Sequence, residues 1–137
     1  MPTAKEFNLS IEDRPGTLGK VCRALADGNV NIVAAQSISS GGKSVVRMVF
    51  DDPAKARNVL DSARTNYTET DVAQVRLTHR PGELARAAQK LGDASININY
   101  FYCGAEPSAN VPLVIFGVAD VSKAAPLLEQ AAAATRG

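Results

Sequence analysis

Tryptophan is absent from this chain, and aromatic residues together make up 5% of its 137 residues. Two cysteines and one histidine are too few for a disulfide framework or a structural metal site. No apolar run approaches the ~20 residues that a membrane-spanning helix needs. Met1-Pro2-Thr3-Ala4-Lys5-Glu6 has no apolar core of the signal-peptide kind, so a cytoplasmic protein with no membrane partner is expected. A charge bias is missing too. Lys and Arg number 15 against 14 Asp and Glu, a net charge of +1, without the clustered basic residues of a nucleic-acid binder. No nucleophile–base pair, metal cluster or phosphate-cradling loop is legible. The chain is therefore expected to be no enzyme and to carry no cofactor. What remains is ordinary globular composition, 45% hydrophobic and 21% charged, enough for one medium domain or two very small ones.

An internal repeat decides between them. Arg14-Pro15-Gly16-Thr17-Leu18 returns 66 residues later as Arg80-Pro81-Gly82-Glu83-Leu84. At that offset Leu25 meets Leu91, Asp27 meets Asp93, Asn31-Ile32 meets Asn97-Ile98, Val45 meets Val111 and Phe50 meets Phe116. That is ten identities over residues 13–50, a register that a chance tripeptide match would not hold. Two domains follow, 1–70 and 71–137, each small enough to need packing against a partner.

The first copy reads β-α-β-β-α. Phe7, Leu9 and Ile11 alternate with polar residues as a half-buried strand does. Asp13-Arg14-Pro15-Gly16 breaks the strand, and Leu18, Val21, Cys22 and Leu25 form one apolar helix face. Gly28 suits the left-handed position that ends a helix. Val30, Ile32, Ala34, Gln36 and Ile38 share one side of a second strand. Gly41-Gly42 turns a hairpin into Ser44–Phe50, and Asp52-Pro53 caps and opens a second helix with Ala56, Val59, Leu60 and Ala63 inward. In the second copy the strands are Val72–Leu77, Ile96–Cys103 and Val111–Val118, with a polar turn over Gly104–Asn110. Its helices are Glu83–Leu91 and Asp120–Ala133, where Pro126 weakens the helix and faces solvent.

A ferredoxin-like unit is β-α-β-β-α-β, yet a closing strand is missing twice. Tyr67–Leu77 is expected to serve as one long strand that closes the first sheet and opens the second. Only Thr135-Arg136-Gly137 follow the last helix. The second unit is then left with an unpaired edge that favours a homodimer.

The segments Ile11-Glu12-Asp13-Arg14-Pro15-Gly16-Thr17-Leu18 and Gly28-Asn29-Val30-Asn31-Ile32 resemble the ACT domain. Leu77-Thr78-His79-Arg80-Pro81-Gly82-Glu83-Leu84 with Ala94-Ser95-Ile96-Asn97-Ile98 looks like a second copy, so the likeness spans nearly the whole chain. It implies an α+β protein of two ferredoxin-like βαββαβ units in tandem. Antiparallel sheets carry helices on one face, and the last strand of each unit is shortened, shared or absent. It also implies an allosteric role in amino acid metabolism, with a free amino acid bound where two such domains meet. One alternative is a regulatory subunit of an amino-acid biosynthetic enzyme, acetohydroxyacid-synthase-like, with that enzyme as partner. Another is an interaction module that binds no ligand.

The residues themselves supply a site chemistry. Backbone N–H groups of Gly16, Thr17 and Leu18 at a helix N-terminus suit a carboxylate, and a glycine lets it approach closely. Asp13 suits an ammonium through a charge-assisted hydrogen bond. The resemblance adds Asn31, and Asn97 completing the pocket of the other unit's loop. The candidate ligand residues are therefore Asp13, Arg14, Pro15, Gly16, Thr17, Leu18 and Asn31. In the second copy they are His79, Gly82, Glu83, Leu84, Asn97 and Tyr100. His79 replaces Asp13 and Glu83 replaces Thr17, and the Glu83 carboxylate is expected to repel a ligand carboxylate. Plainer roles stand beside these: turn bonding or helix capping for Asp13, backbone conformation for Gly16 and Gly82, strand pinning for Asn31 and Asn97. Cys22 reads as a buried inert thiol. Tyr100-Phe101-Tyr102 has no aromatic counterpart in the first copy and serves as core, interface or ligand wall.

Overall fold

The computed structural model describes residues 2–105 and 111–133. The chain divides into two compact units, one of residues 5–70 and one of residues 71 onward joined by the N-terminal residues up to Ala4. In the first, β1 (Thr3–Glu12) is followed by α1 (Thr17–Asp27), β2 (Ile32–Ser40), β3 (Lys43–Phe50) and α2 (Pro53–Ser62). Its three strands run antiparallel in the order β1-β3-β2. Phe7, Leu9, Val46, Met48 and Phe50 alternate onto one sheet face, where they meet Leu25 of α1 and Ala56 and Leu60 of α2. Gly41 and Gly42, at φ 59° and 79°, form the β2–β3 turn with the positive torsions that a two-residue hairpin demands. Asp52 caps α2 by accepting the Lys55 N–H at 3.1 Å, with Pro53 at the first helical position.

The second unit continues from β4 (Asn66–Arg76) through α3 (Glu83–Asp93), β5 (Tyr100–Ala105), β6 (Pro112–Gly117) and α4 (Val121–Ala133). Its order is β4-β6-β5, again antiparallel. Ala73, Val75, Val114 and Phe116 meet Ala87 and Leu91 of α3 and Ala124 and Leu128 of α4. Asp120 lies at the start of α4 and accepts the Lys123 N–H at 3.1 Å and the Ser122 hydroxyl at 2.9 Å, bonds that hold its carboxyl below the usual range. Pro126 is exposed, and α4 runs through it.

The closing strands are shared. β4 is one strand whose start belongs to the first unit: Tyr67 packs on Phe7 at 5.5 Å, Asn8 donates to Thr70 at 3.3 Å, and Arg57 of α2 forks onto Glu69 with two 2.8 Å bonds. In the second unit the Gln74 N–H donates to the Pro2 carbonyl at 2.9 Å. The edge expected to be unpaired is thus engaged by the chain's own N-terminal residues, and that ground for a homodimer falls. The closing residues sit at the opposite end of the chain from the last helix. Residues 135–137 and most of the expected turn over 104–110 lie outside the described residues; Gly104 and Ala105 belong to β5.

Strand register corrects the repeat. Phe7 faces Met48, and Ala73 faces Phe116. The offset is therefore 66 up to β2 but 68 from β3 onward, two residues being added between β5 and β6. Met48, not Phe50, is the counterpart of Phe116, and the identities Val45/Val111 and Phe50/Phe116 are coincidental.

A second correction concerns β2 and β5. The register shifts between Ile32 and Ala34, so Ile32 joins the helix-side core while Ala34 lies opposite Val49 on the other face. A bulge of this kind flips the alternation. In the second unit Asn99 N–H and the residue pair Tyr100–Gly117 both address Gly117, and β5 begins at Tyr100 rather than Ile96. Tyr100 and Tyr102 therefore leave the side that holds Ile96 and Ile98; their rings stack 6.3 Å apart at 6°. The Tyr100 ring fills the space a side chain at residue 117 would need, 2.2 Å from the position of a Cβ there. Phe101 turns to Phe116 at 6.2 Å.

Gly28 differs from expectation as well. It ends α1 at φ −85°, and the left-handed residue is Asn29 at φ 58°. The reason for glycine is packing: a Cβ at residue 28 would lie 2.5 Å from Val59 Cγ2.

Candidate functional site

The two Arg-Pro-Gly loops share one backbone. Arg14 N–H donates to the Glu12 carbonyl at 3.1 Å, and Arg80 N–H to the Thr78 carbonyl at 3.0 Å. Each loop ends on a left-handed glycine that caps the following helix, Gly16 at φ 92° and Gly82 at φ 93°, with no side-chain cap. A Cβ at either glycine would meet nothing within 4 Å. The torsion demands glycine there, and the space above the backbone is open. Thr17 N–H is consumed by the Arg14 carbonyl at 3.3 Å, so it leaves the expected trio of anion donors; Gly16 and Leu18 stay in it.

In the first loop Asp13 does not cap α1. Its exposed carboxylate accepts the Ser44 hydroxyl at 3.2 Å, and its N–H donates to the Gly42 carbonyl at 3.0 Å. The Thr17 hydroxyl donates within reach of the carbonyls of Glu12, 2.7 Å, and Arg14, 3.0 Å, which fixes the loop from inside. Arg14 turns outward onto Glu12 at 2.8 Å with both side chains mostly exposed. Pro15 and Leu18 are exposed. Asn31 is pinned through its backbone: its N–H donates to the Asp51 carboxylate at 2.9 Å, and its carbonyl accepts the Asp51 N–H at 3.1 Å. Both bonds are made by the main chain of Asn31, not by its side chain.

The second loop uses other chemistry. His79 is exposed, and Pro112 stands where the first unit has Ser44, so the Asp13–Ser44 bond has no equivalent. Glu83 is buried at 4% exposure, with Oε1 3.2 Å from Arg80 Nε and 3.8 Å from Arg86 Nη2. It is a neutralised carboxylate rather than the bare repulsive charge expected. Asn97 donates to the Asn99 side chain at 2.9 Å. Leu84 is exposed beside Gly82. A shallow depression of about 470 Å³ beside this loop is lined by Gly82, Arg86, Gln89, Lys90 and Asp93.

Ser44, Asp51 and Arg86 are the partners that sequence reasoning missed. Arg86 lies three residues after Glu83, a spacing that puts both on one helix face. Ser44 and Asp51 carry no such signal, because their contacts are made across the sheet. Cys22 is half-buried, and burial pushes its thiol upward; Cys103 lies exposed within β5.

Two loop-led helices on two antiparallel sheets define a duplicated α+β module whose shared feature is a glycine-capped helix start. The chain belongs to the ACT domain pair family, whose model matches residues 2–128. An ACT pair is a regulatory module. Among solved structures the chain is similar to protein BT0572 from Bacteroides thetaiotaomicron, at 26% identity and a TM-score of 0.83 over 94% of this chain and 88% of that one. It is also similar to the ligand-free regulatory subunit of aspartate kinase from Thermus thermophilus, at 19% identity and a TM-score of 0.63 over 95% and 92% of the two chains. The corresponding subunit from Thermus flavus gives 17% identity and a TM-score of 0.63 over 96% and 93%. At those identities the two subunits share the fold. No curated protein matches the sequence. Among the described residues no helix is long and apolar enough to cross a membrane.

Proposed function

We propose that this ACT pair is a sensor of a free amino acid, bound at the first loop. The observation that carries the reading is Gly16, a left-handed helix cap with no side chain over it and open space above. Its N–H and that of Leu18, at the positive end of α1, receive the ligand carboxylate. Asp13, exposed and aimed by Ser44, receives the ammonium. Binding would stabilise one assembly state over another and so act on a partner.

A thermal-shift screen against the twenty amino acids, run on the native protein and on Asp13→Asn, tests this. At ~100 times its dissociation constant a ligand adds about 2.7 kcal/mol, which for a chain of this length raises Tm by roughly 10 °C. Asp13→Asn keeps an acceptor for Ser44 while removing the charge, so it should lose the ligand shift but little intrinsic stability. Stabilisation by no amino acid would sink the sensor and favour the interaction module. A second reading makes the chain a regulatory subunit of an amino-acid biosynthetic enzyme such as acetohydroxyacid synthase. Likeness to aspartate kinase regulatory subunits supports it only at the level of fold. Co-purification with a catalytic subunit, and a change in that subunit's activity, would favour it.

A further inference from the structure

Thr17 and Glu83 open α1 and α3 at equivalent positions, and they secure their loops in different ways. Thr17 uses its hydroxyl on the carbonyls of Glu12 and Arg14, and this takes up no guanidinium. Glu83 folds its carboxylate inward, 4% exposed, between Arg80 at 3.2 Å and Arg86 at 3.8 Å. A carboxylate is buried only where cations and donors replace its water. Here two guanidiniums and the positive end of α3 do so. A guanidinium beside such a loop is a group that the carboxylate of a free amino acid would also seek.

We infer that Glu83 is a built-in carboxylate that takes up the guanidinium charge of the second loop, so that each chain takes one amino acid, at the first loop, and not two. The inference rests on the amino-acid reading above. It differs from simple repulsion, which would leave the guanidinium charge unmatched and the loop loose. A loop held by its own carboxylate keeps the ligand-bound arrangement at every ligand concentration. The first copy then senses, and the second serves as a fixed frame.

Two measurements on the full chain test it, using Glu83→Gln, nearly isosteric, and Glu83→Thr, which installs the residue the first loop already folds with. The first needs no ligand. Amides of residues 83–86 should exchange about tenfold more slowly than those of 17–20, the order expected for a charge-assisted bond, and Glu83→Gln should erase the difference. Equal exchange in the native protein overturns the inference. The second is an amide-shift titration with each of the twenty amino acids. Shifts confined to Gly16–Leu18 in the native protein, and appearing at Gly82–Leu84 as well in Glu83→Thr, support a stoichiometry rising from one to two per chain. Shifts at both loops of the native protein overturn the inference and leave the sensor reading standing. If no amino acid moves either loop in either protein, the sensor reading falls, and the exchange comparison alone decides whether Glu83 takes up the loop's guanidinium charge.

Discussion

Replacing Gly28 by alanine should destabilise the first unit even though alanine is the better residue for a helix end at φ −85°. The new Cβ would lie 2.5 Å from Val59 Cγ2, about 1 Å inside the ~3.5–4.0 Å at which carbon atoms attract. The other near atoms, the carbonyl oxygens of Ala24 and Leu25, sit at an ordinary 3.6 Å. Val59 cannot swing aside cheaply, because a β-branched side chain in a helix holds one χ1 rotamer. Overpacking of this kind costs about 1–3 kcal/mol. The reduced entropy of the unfolded chain returns about 0.4–1 kcal/mol. The net expectation is a loss of about 1–2 kcal/mol, read in urea as a midpoint lower by somewhat under 1 M at an m of about 2 kcal/mol/M. The double-mutant cycle with Val59→Ala removes the clashing methyl, so the pair should show a favourable coupling of about 1 kcal/mol or more. Ala94→Gly, the mirror change in the second unit, should lose only the entropic ~0.4–1 kcal/mol. A neutral Gly28→Ala, or a cycle that is simply additive, would refute the packing argument.

Three further outcomes are expected. Glu69 is held below its ordinary range by the Arg57 hydrogen bonds, so its stabilisation is present above the unfolded carboxylate range and disappears as pH falls through its lowered folded value; Glu69→Gln should lower Tm at pH 7 and match the native protein in strong acid, and an equal deficit at both would rule the link out. Deleting residues 2–4 removes the acceptor of the Gln74 N–H, so exchange at Gln74 should accelerate while the amides of β3 stay protected; unchanged exchange would show that the N-terminal residues do not close the second sheet. A thiol reagent in limiting amount should modify exposed Cys103 before Cys22, whose burial disfavours its thiolate, and mass mapping that finds Cys22 first would contradict the geometry.

Much of the fold was legible because it is written in local periodicity. Phe7-Leu9-Ile11 alternate, Leu18-Val21-Cys22-Leu25 recur at helical spacing, and Asp52-Pro53 is a helix start in itself. The shared strand β4 followed from counting what remained between a helix and the next copy. What escaped had a different origin in each case. The bulge before Ala34 and the late start of β5 at Tyr100 leave period-two patterning intact on both sides and only exchange which side faces the core. The place where the offset slips from 66 to 68, before β3 and not after it, was hidden by two chance identities, since Val and Phe recur often in strands. Pro2 closing onto Gln74 joins residues 72 positions apart, and no local pattern encodes such a pairing.

The candidate site divides along the same line. Its backbone was legible, since Arg-Pro-Gly before a helical stripe dictates the turn, and both glycines take the same left-handed torsion. Its electrostatics were not. A Glu in the Thr17 position reads from sequence as a repulsive charge, because sequence records the sign of a side chain but not where it is folded. Burial between Arg80 and Arg86 turns the same residue from a bare charge into a neutralised one. Asp13 shows the converse. Its charge reads as a helix cap, yet the left-handed Gly16 leaves that place without a side chain, and the carboxylate bonds across to Ser44 and stays exposed. Where Ser44 gives way to Pro112, Asp13 gives way to His79, so both members of that bond differ in the second copy. One copy keeps an exposed acid beside an open glycine cap, and the other buries an acid at the first turn behind its cap. Duplication preserved the frame and divided the chemistry.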